Sequence, residues 1–168
     1  MSYGAAYFDD GGKLGLSGTI DEDLVTQWLQ HPFFNTQPPK SLDRNAWDVS
    51  TEGMSLADGA ATLAAFTART ILQAASLCPE QPESWIITGG GRHNQAIMEG
   101  LRRGQNRPVL TTEDVGWDGD AMEAEGFAYM AVRSVLDLPI SFPSTTGCPS
   151  PMTGGELCKP KQPLAAEA

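Results

Sequence analysis

The stretch Trp85–Leu101, "WIITGGGRHNQAIMEGL", decides how the rest of the chain is read. Ser84–Thr88 has the apolar, β-branched character of a buried strand. Asn94–Arg102 repeats apolar residues at helical spacing, with Ile97, Met98 and Leu101 inward, and Asn94 suits the N-cap. Between the two stand Gly89, Gly90 and Gly91. Strand, glycine turn and helix in that order make a common nucleotide-site geometry. Ligands of α/β sheets bind beyond the carboxyl ends of strands, and helix N-termini present free amides. Glycine removes the Cβ that would hold a flat base or a phosphate off the backbone. The same residues also make a plain tight turn. A G-x-G-x-x-G pattern begun at Gly89 meets Asn94 where its last glycine belongs, and no Walker A lysine follows, since Arg92 and Gln95 stand there. Turn and ligand contact both stay open on these residues.

Downstream, Pro108–Thr111 reads as a second short strand. Asp120–Leu136 reads as a second helix, with Ala124, Phe127, Ala131 and Val135 on one face. Strand–helix–strand–helix with short connections predicts a parallel α/β layer. Upstream, Ser55 with Asp58 gives a capping-box pattern, and Leu63, Phe66, Thr70, Ile71 and Ala74 recur at helical spacing until Pro79. That largely alanine face suits packing against a sheet. In "IDEDLVTQWLQHP", Asp21 caps a helix with Leu24, Val25, Trp28 and Leu29 on one face, ended by Pro32. "FDDGGKLGLSG", with four glycines, reads as loop or a weak hairpin. The tail after Pro139 reads as loop, with residues 161–168 disordered.

The 168 residues suffice for one domain with a core. A formal net charge of -10 argues against a nucleic-acid partner, because such a partner calls for a basic surface. No apolar run is long enough for a membrane span. The N-terminus lacks the basic region and apolar core of a signal peptide, so the expected location is cytoplasmic. Cys78, Cys148 and Cys158 are odd in number and make no C-x-x-C, so neither a disulfide framework nor a zinc site is expected.

Three further groups carry alternatives. Glu123, in the first turn of the last long helix, suits the helix dipole, as Asp120 and Glu125 do; otherwise it is a carboxylate for sugar hydroxyls. Lys40, Ser41 and Arg44 in "PPKSLDR" are a solvated loop or an anion contact from a rigid loop. Arg92 and His93 are exposed or meet a phosphate. The tryptophans at 28, 47, 85 and 117 are expected as packing anchors. No Ser-His-Asp or Cys-His set is suggested.

Taken in order, "GLSGTIDEDLVTQWLQHPFFNTQPPKSLDRNAW", "ITGGGRHNQAIMEGL", "VLTTEDVGWDGDAMEAEGFAYMAVRSVLDLPISFPSTTG" and "GGELCKP" resemble the C-terminal half of the anhydro-N-acetylmuramic acid kinases. The resemblance implies an α/β domain of the actin-like, hexokinase-like (ribonuclease H-like) kind spanning residues 1–160, without its N-terminal partner domain. It implies an ATP-dependent kinase, with Mg²⁺, that opens the 1,6-anhydro ring of anhydro-N-acetylmuramic acid with water and phosphorylates O6 in peptidoglycan recycling. By carry-over, Gly89, Gly90, Gly91 and Asn94 flank the adenosine part of ATP, and Glu123 contacts the sugar. The family's phosphate loop, like "GTMSGTSLDG", and its "D-T-G-P-G-N", which holds the expected general base, are both absent. "KSLDR" stands where "KSTGRE" is usual, and "NAWDVSTEG" diverges after Trp47. The expectation is therefore a partial kinase inactive alone, with no catalytic residue and no metal ligand assigned. Its expected partners are the missing half or a second copy. A non-catalytic α/β nucleotide-binding or interaction module is the alternative. An NAD-type Rossmann enzyme is weakened by Asn94.

Overall fold

A computed structural model of the chain describes residues 8–43, 45–47 and 49–159. The tail expected to be disordered, 161–168, lies outside the described residues, as does Arg44. Two compact units are present, Met1–Met122 and Glu123–Ala168.

In the first unit, a 3₁₀ turn at Asp10–Gly12 leads into α1, Lys13–Ser17. The loop or hairpin expected from the glycines is thus a short helix. Gly12 enters it at φ 74, and both Asp9 carboxylate oxygens accept amides of its first turn, from Leu14 at 2.8 Å and Gly15 at 3.0 Å. Gly15 and Gly18 serve close approach rather than chain reversal. A Cβ on Gly15 would lie 3.0 Å from the Ala96 Cβ, and one on Gly18 would overlap the Ala57 carbonyl.

Helix α2, Glu22–Leu29, is capped by Asp21, whose carboxylate accepts the Leu24 amide at 2.9 Å. It buries Val25 and Trp28. A 3₁₀ turn over Pro32–Asn35 comes next. Its Phe34 joins Trp28, His31, Trp47 and Phe66 in an aromatic cluster with centroids 4.5–6.3 Å apart.

Helix α3, Leu56–Ala74, starts at Ser55, whose Oγ accepts the Asp58 amide at 3.1 Å as the capping pattern predicts. Its buried face is the expected one only in part: Phe66 and Ile71 pack, but the fully buried residues are others. Ala61, Thr62, Ala64, Ala65 and Ala68 point inward, whereas Leu63 is 37% exposed and Ala74 is exposed. The partners explain the rotation. Most of α3 packs on the helices α1, α2 and α4 (Gln95–Arg103) instead of on a sheet. Small side chains let helix backbones approach closely, so alanines meet glycines: a Cβ on Gly100 would lie 2.9 Å from the Ala68 Cβ.

The strands are β1, Trp85–Ile87, and β2, Val109–Thr111. They pair in parallel with Trp85 opposite Val109 and Ile87 opposite Thr111. The α/β expectation holds at this coarse level. The core on the sheet's covered face is Ala68, Met98, Leu101 and Val109, flanked by Ile71, Leu72, Trp85, Ile87 and Ile97. Alternation along β1 leaves Ile86 40% exposed, so the strand is covered on one face only.

In the second unit, α5, Met122–Val135, buries none of its residues, which departs from the inward face expected for it. Arg133 ties the last turn of this helix to the segment after it. Nε donates to the Pro139 carbonyl at 2.5 Å, and the guanidinium lies over the rings of Tyr129 and Phe142. The expected loop contains one more helical turn, α6, Pro143–Thr146, and a bridge between Ser141 and Met152.

Candidate functional site

The glycine turn leaves the carboxyl end of β1. Gly89 has φ 71 and ψ -178, a conformation open in practice to glycine alone. Gly90 and Gly91 then enter a 3₁₀ turn, Gly90–His93, which hands the chain to α4. Asn94 caps α4 as expected, its Oδ1 accepting the Ile97 amide at 3.2 Å. A Cβ on Gly89, Gly90 or Gly91 would meet no atom of the described residues within 4 Å. Internal packing therefore does not require glycine at 90 and 91, and only the backbone of Gly89 does.

The space in front of the turn is an open depression of about 640 Å³. It is lined by Gly90, Gly91, His93, Asn94 and Ile97 on one side and by Phe8, Asp9, Asp10 and Gly11 on the other. The two sides are locked together. A Cβ on Gly12 would overlap Asn94 Oδ1 and come within 2.8 Å of the Gln95 and Ala96 amides, so α1 reaches the α4 N-terminus only because Gly12 is bare.

Arg92, expected to be exposed or to meet a phosphate, does neither. Its side chain is 2% exposed and points inward. Nη1 donates to the Gly89 carbonyl at 2.9 Å, Nε to Glu113 Oε1 at 2.9 Å and Nη2 to Asp120 Oδ1 at 2.8 Å. A buried guanidinium needs such partners. Arg92 holds the Glu113 carboxyl down to about 2, and the two carboxylates raise the Arg92 pKa in return. Sequence reasoning missed Glu113 and Asp120. The available signal was an arginine directly after the turn with acidic residues after the next strand. His93 is exposed, with Nε2 3.9 Å from Asp120 Oδ1. With Arg92 neutralised, the turn offers a ligand backbone amides and open space rather than a free guanidinium. That suits an uncharged planar group better than a phosphate.

Glu123 lies in the first turn of α5, in the second unit, and is exposed. Lys40 is folded back on its own turn, donating to the Phe33 carbonyl at 2.7 Å and the Phe34 carbonyl at 3.2 Å, with Nζ 4.6 Å from the Phe33 ring centroid. Its charge is spent locally, while Ser41 is exposed. Of the tryptophans, Trp28 is buried, Trp47 and Trp85 pack, and Trp117 is 52% exposed, against its expected role as an anchor. Among the described residues no group of three His, Cys, Asp or Glu side chains is placed to hold a metal ion. No helix among them is long and apolar enough to cross a membrane.

Residues 2–160 match the family model for anhydro-N-acetylmuramic acid kinase. Curated proteins of that name are similar over most of the chain. The one from Zymomonas mobilis is 47% identical over 151 residues, covering 89% of this chain and 41% of the relative. The one from Acidiphilium cryptum is 48% identical over 159 residues, covering 92% and 44%. The one from Rhodospirillum rubrum is 47% identical over 161 residues, covering 95% and 43%. The chain thus spans about two-fifths of the length of these relatives.

Proposed function

The chain belongs to the anhydro-N-acetylmuramic acid kinase family, and we propose that it forms the adenosine-facing wall of an ATP-dependent sugar kinase. The observation that carries this reading is the bare surface of Gly90 and Gly91. None of the described residues occupies the space where their side chains would be, and that space opens on a depression at the carboxyl end of a parallel strand. Gly89, Gly90, Gly91 and the Asn94-capped helix start would flank the adenosine, with the backbone approaching the flat base. The inward-turned Arg92 leaves phosphate handling to other groups.

Phosphoryl transfer is chiefly positioning and charge neutralisation. When bound, Mg²⁺ would neutralise phosphate charge. The described residues do not fit such an ion, so no step is assigned to it on this chain. The substrate is anhydro-N-acetylmuramic acid, opened by water and phosphorylated at O6, and Glu123 accepts hydrogen bonds from its hydroxyls. The actin-like fold follows from the same reading, with the remaining length of the relatives supplying the phosphate loop and the base for water. The chain by itself is therefore inactive.

The test is ATP-dependent phosphorylation of the anhydro sugar by the chain alone and after mixing with the separately expressed remainder of a relative. Turnover only in the mixture, reduced by Glu123→Gln, is expected. Turnover by the chain alone overturns the half-site reading. ATP binding with no turnover in any mixture favours a non-catalytic nucleotide-binding module.

A further inference from the structure

We propose that Arg92 is a positioning residue that sets the conformation of the glycine turn and couples it to the segment after β2. This rests on the reading of that turn as nucleotide-facing. Gly89 is the hinge of the turn, and its carbonyl is gripped twice by one residue: by the Arg92 amide at 3.2 Å and by Arg92 Nη1 at 2.9 Å. Two donors on one carbonyl fix the Gly89–Gly90 peptide plane, and with it the direction in which the next amides point. A glycine hinge otherwise has wide rotational freedom.

The opposite edge of the guanidinium reaches the segment that leaves β2. Nε and Nη2 both approach Glu113 Oε1 at 2.9 Å, and Nη2 also binds Asp120. One planar group therefore fastens the segments leaving the carboxyl ends of both strands. Three separate acceptors in one plane are a task for guanidinium, whose donors form a rigid fork, and not for a lysine ammonium. The pocket is closed around it. A Cβ on Gly119 would lie 2.5 Å from Arg92 Nε and 2.6 Å from Cζ, so glycine at 119 is what admits the side chain. Thr112, 1% exposed, completes the wall and donates to the other Glu113 oxygen at 3.3 Å.

The coupling has a direct readout, because the amides of both segments are internally bonded. Those of Arg92 and Asn94 donate to Gly89 and Gly91, and that of Trp117 donates to Thr112. Hydrogen exchange of the full chain is compared for the wild type, Arg92→Lys and Gly119→Ala, alongside titration with ATP. In both variants exchange at 92, 94 and 117 is expected to quicken about tenfold, the scale of a lost charge-assisted hydrogen bond. Amides inside α4 at Met98 and Leu101 should keep their rates, and ATP binding should weaken. Unchanged exchange at the turn in both variants overturns the proposal. Equal acceleration throughout the core also overturns it, because Arg92 would then be a general stabiliser. Local acceleration in a protein whose wild type binds no ATP upholds the clamp and removes the nucleotide reading instead.

Discussion

Asp58 Oδ1 accepts the Thr19 amide at 2.7 Å, joining the first turn of α3 to the segment just after α1 across 39 residues. Its other oxygen accepts from Ser55 Oγ at 2.7 Å. The cap of α3 and the placement of the segment between α1 and α2 thus share a carboxylate.

This pair predicts a pH dependence. The Thr19 amide, and after it the Ser55 hydroxyl, hold the Asp58 carboxyl below its ordinary value of 3.8. The folded state therefore binds the proton more weakly than the unfolded chain. The stabilisation is complete above the ordinary value and is lost as pH falls through the lowered one. Asp58→Asn should lower the thermal midpoint at pH 7, and the wild type and variant should converge in strongly acidic buffer. Melting curves at pH 7, 5 and 3 check this, and an undiminished gap at pH 3 would refute it.

Gly18 supplies a steric prediction. Its backbone, φ -91 and ψ 170, accepts any residue, yet a Cβ would run into the Ala57 carbonyl and come within 2.8 Å of the Asp58 amide. Backbone cannot step aside as a flexible side chain does. Gly18→Ala should cost roughly 1–3 kcal/mol, the usual range for overpacking. Urea unfolding measures it, and a wild-type midpoint would disprove the contact.

The rotated face of α3 and the core under the sheet give a third comparison. Leu101 has no exposed surface, whereas Leu63 is 37% exposed. Leu101→Ala should cost roughly 2–5 kcal/mol through lost burial and a residual cavity. Leu63→Ala should stay within about 1 kcal/mol, as surface changes do. Similar losses at both positions would contradict the assigned face.

The glycine turn separates fold from function. Gly89→Ala forces a side chain into a conformation that costs about 1–3 kcal/mol, so it should destabilise the chain. Gly90→Ala and Gly91→Ala place a methyl in open space and should melt as wild type. If adenosine lies against the turn, the same two variants should nonetheless weaken ATP binding. Calorimetric titration paired with thermal melts decides the matter. Normal binding in both variants would leave only the turn role of Gly89.

Much of the fold was legible because short-range chemistry set it. Asp21, Ser55 and Asn94 all cap as their positions suggest, and the strand–helix–strand pattern around the glycines forms a parallel pair. What stayed hidden depends on partners distant in sequence. Gly12, Gly15 and Gly18 read as loop because glycine serves turns and close contacts alike, and only the approach of α3 and α4 tells which. The buried face of α3 was misjudged for a related reason. A largely alanine face was expected to pack on a sheet, but here the small residues mark a face packed on helices. At the site, the glycines and Asn94 were visible as candidates. Arg92 was visible only as a charge. Its burial depends on Glu113 and Asp120, more than twenty positions away.

β1 and β2 are three residues each, and each pairs with the other alone among the described residues. Both are therefore edge strands, whose outer backbone groups are of the kind that can template a foreign chain, although the Thr111 amide already donates to Asp114 Oδ2 at 2.7 Å. Their brevity limits that hazard. A ladder of three residues offers an incoming strand few hydrogen bonds, and the helices shield one of its faces. The same edges would let a longer relative widen the sheet by adding strands beside them, with the covered core left as it is.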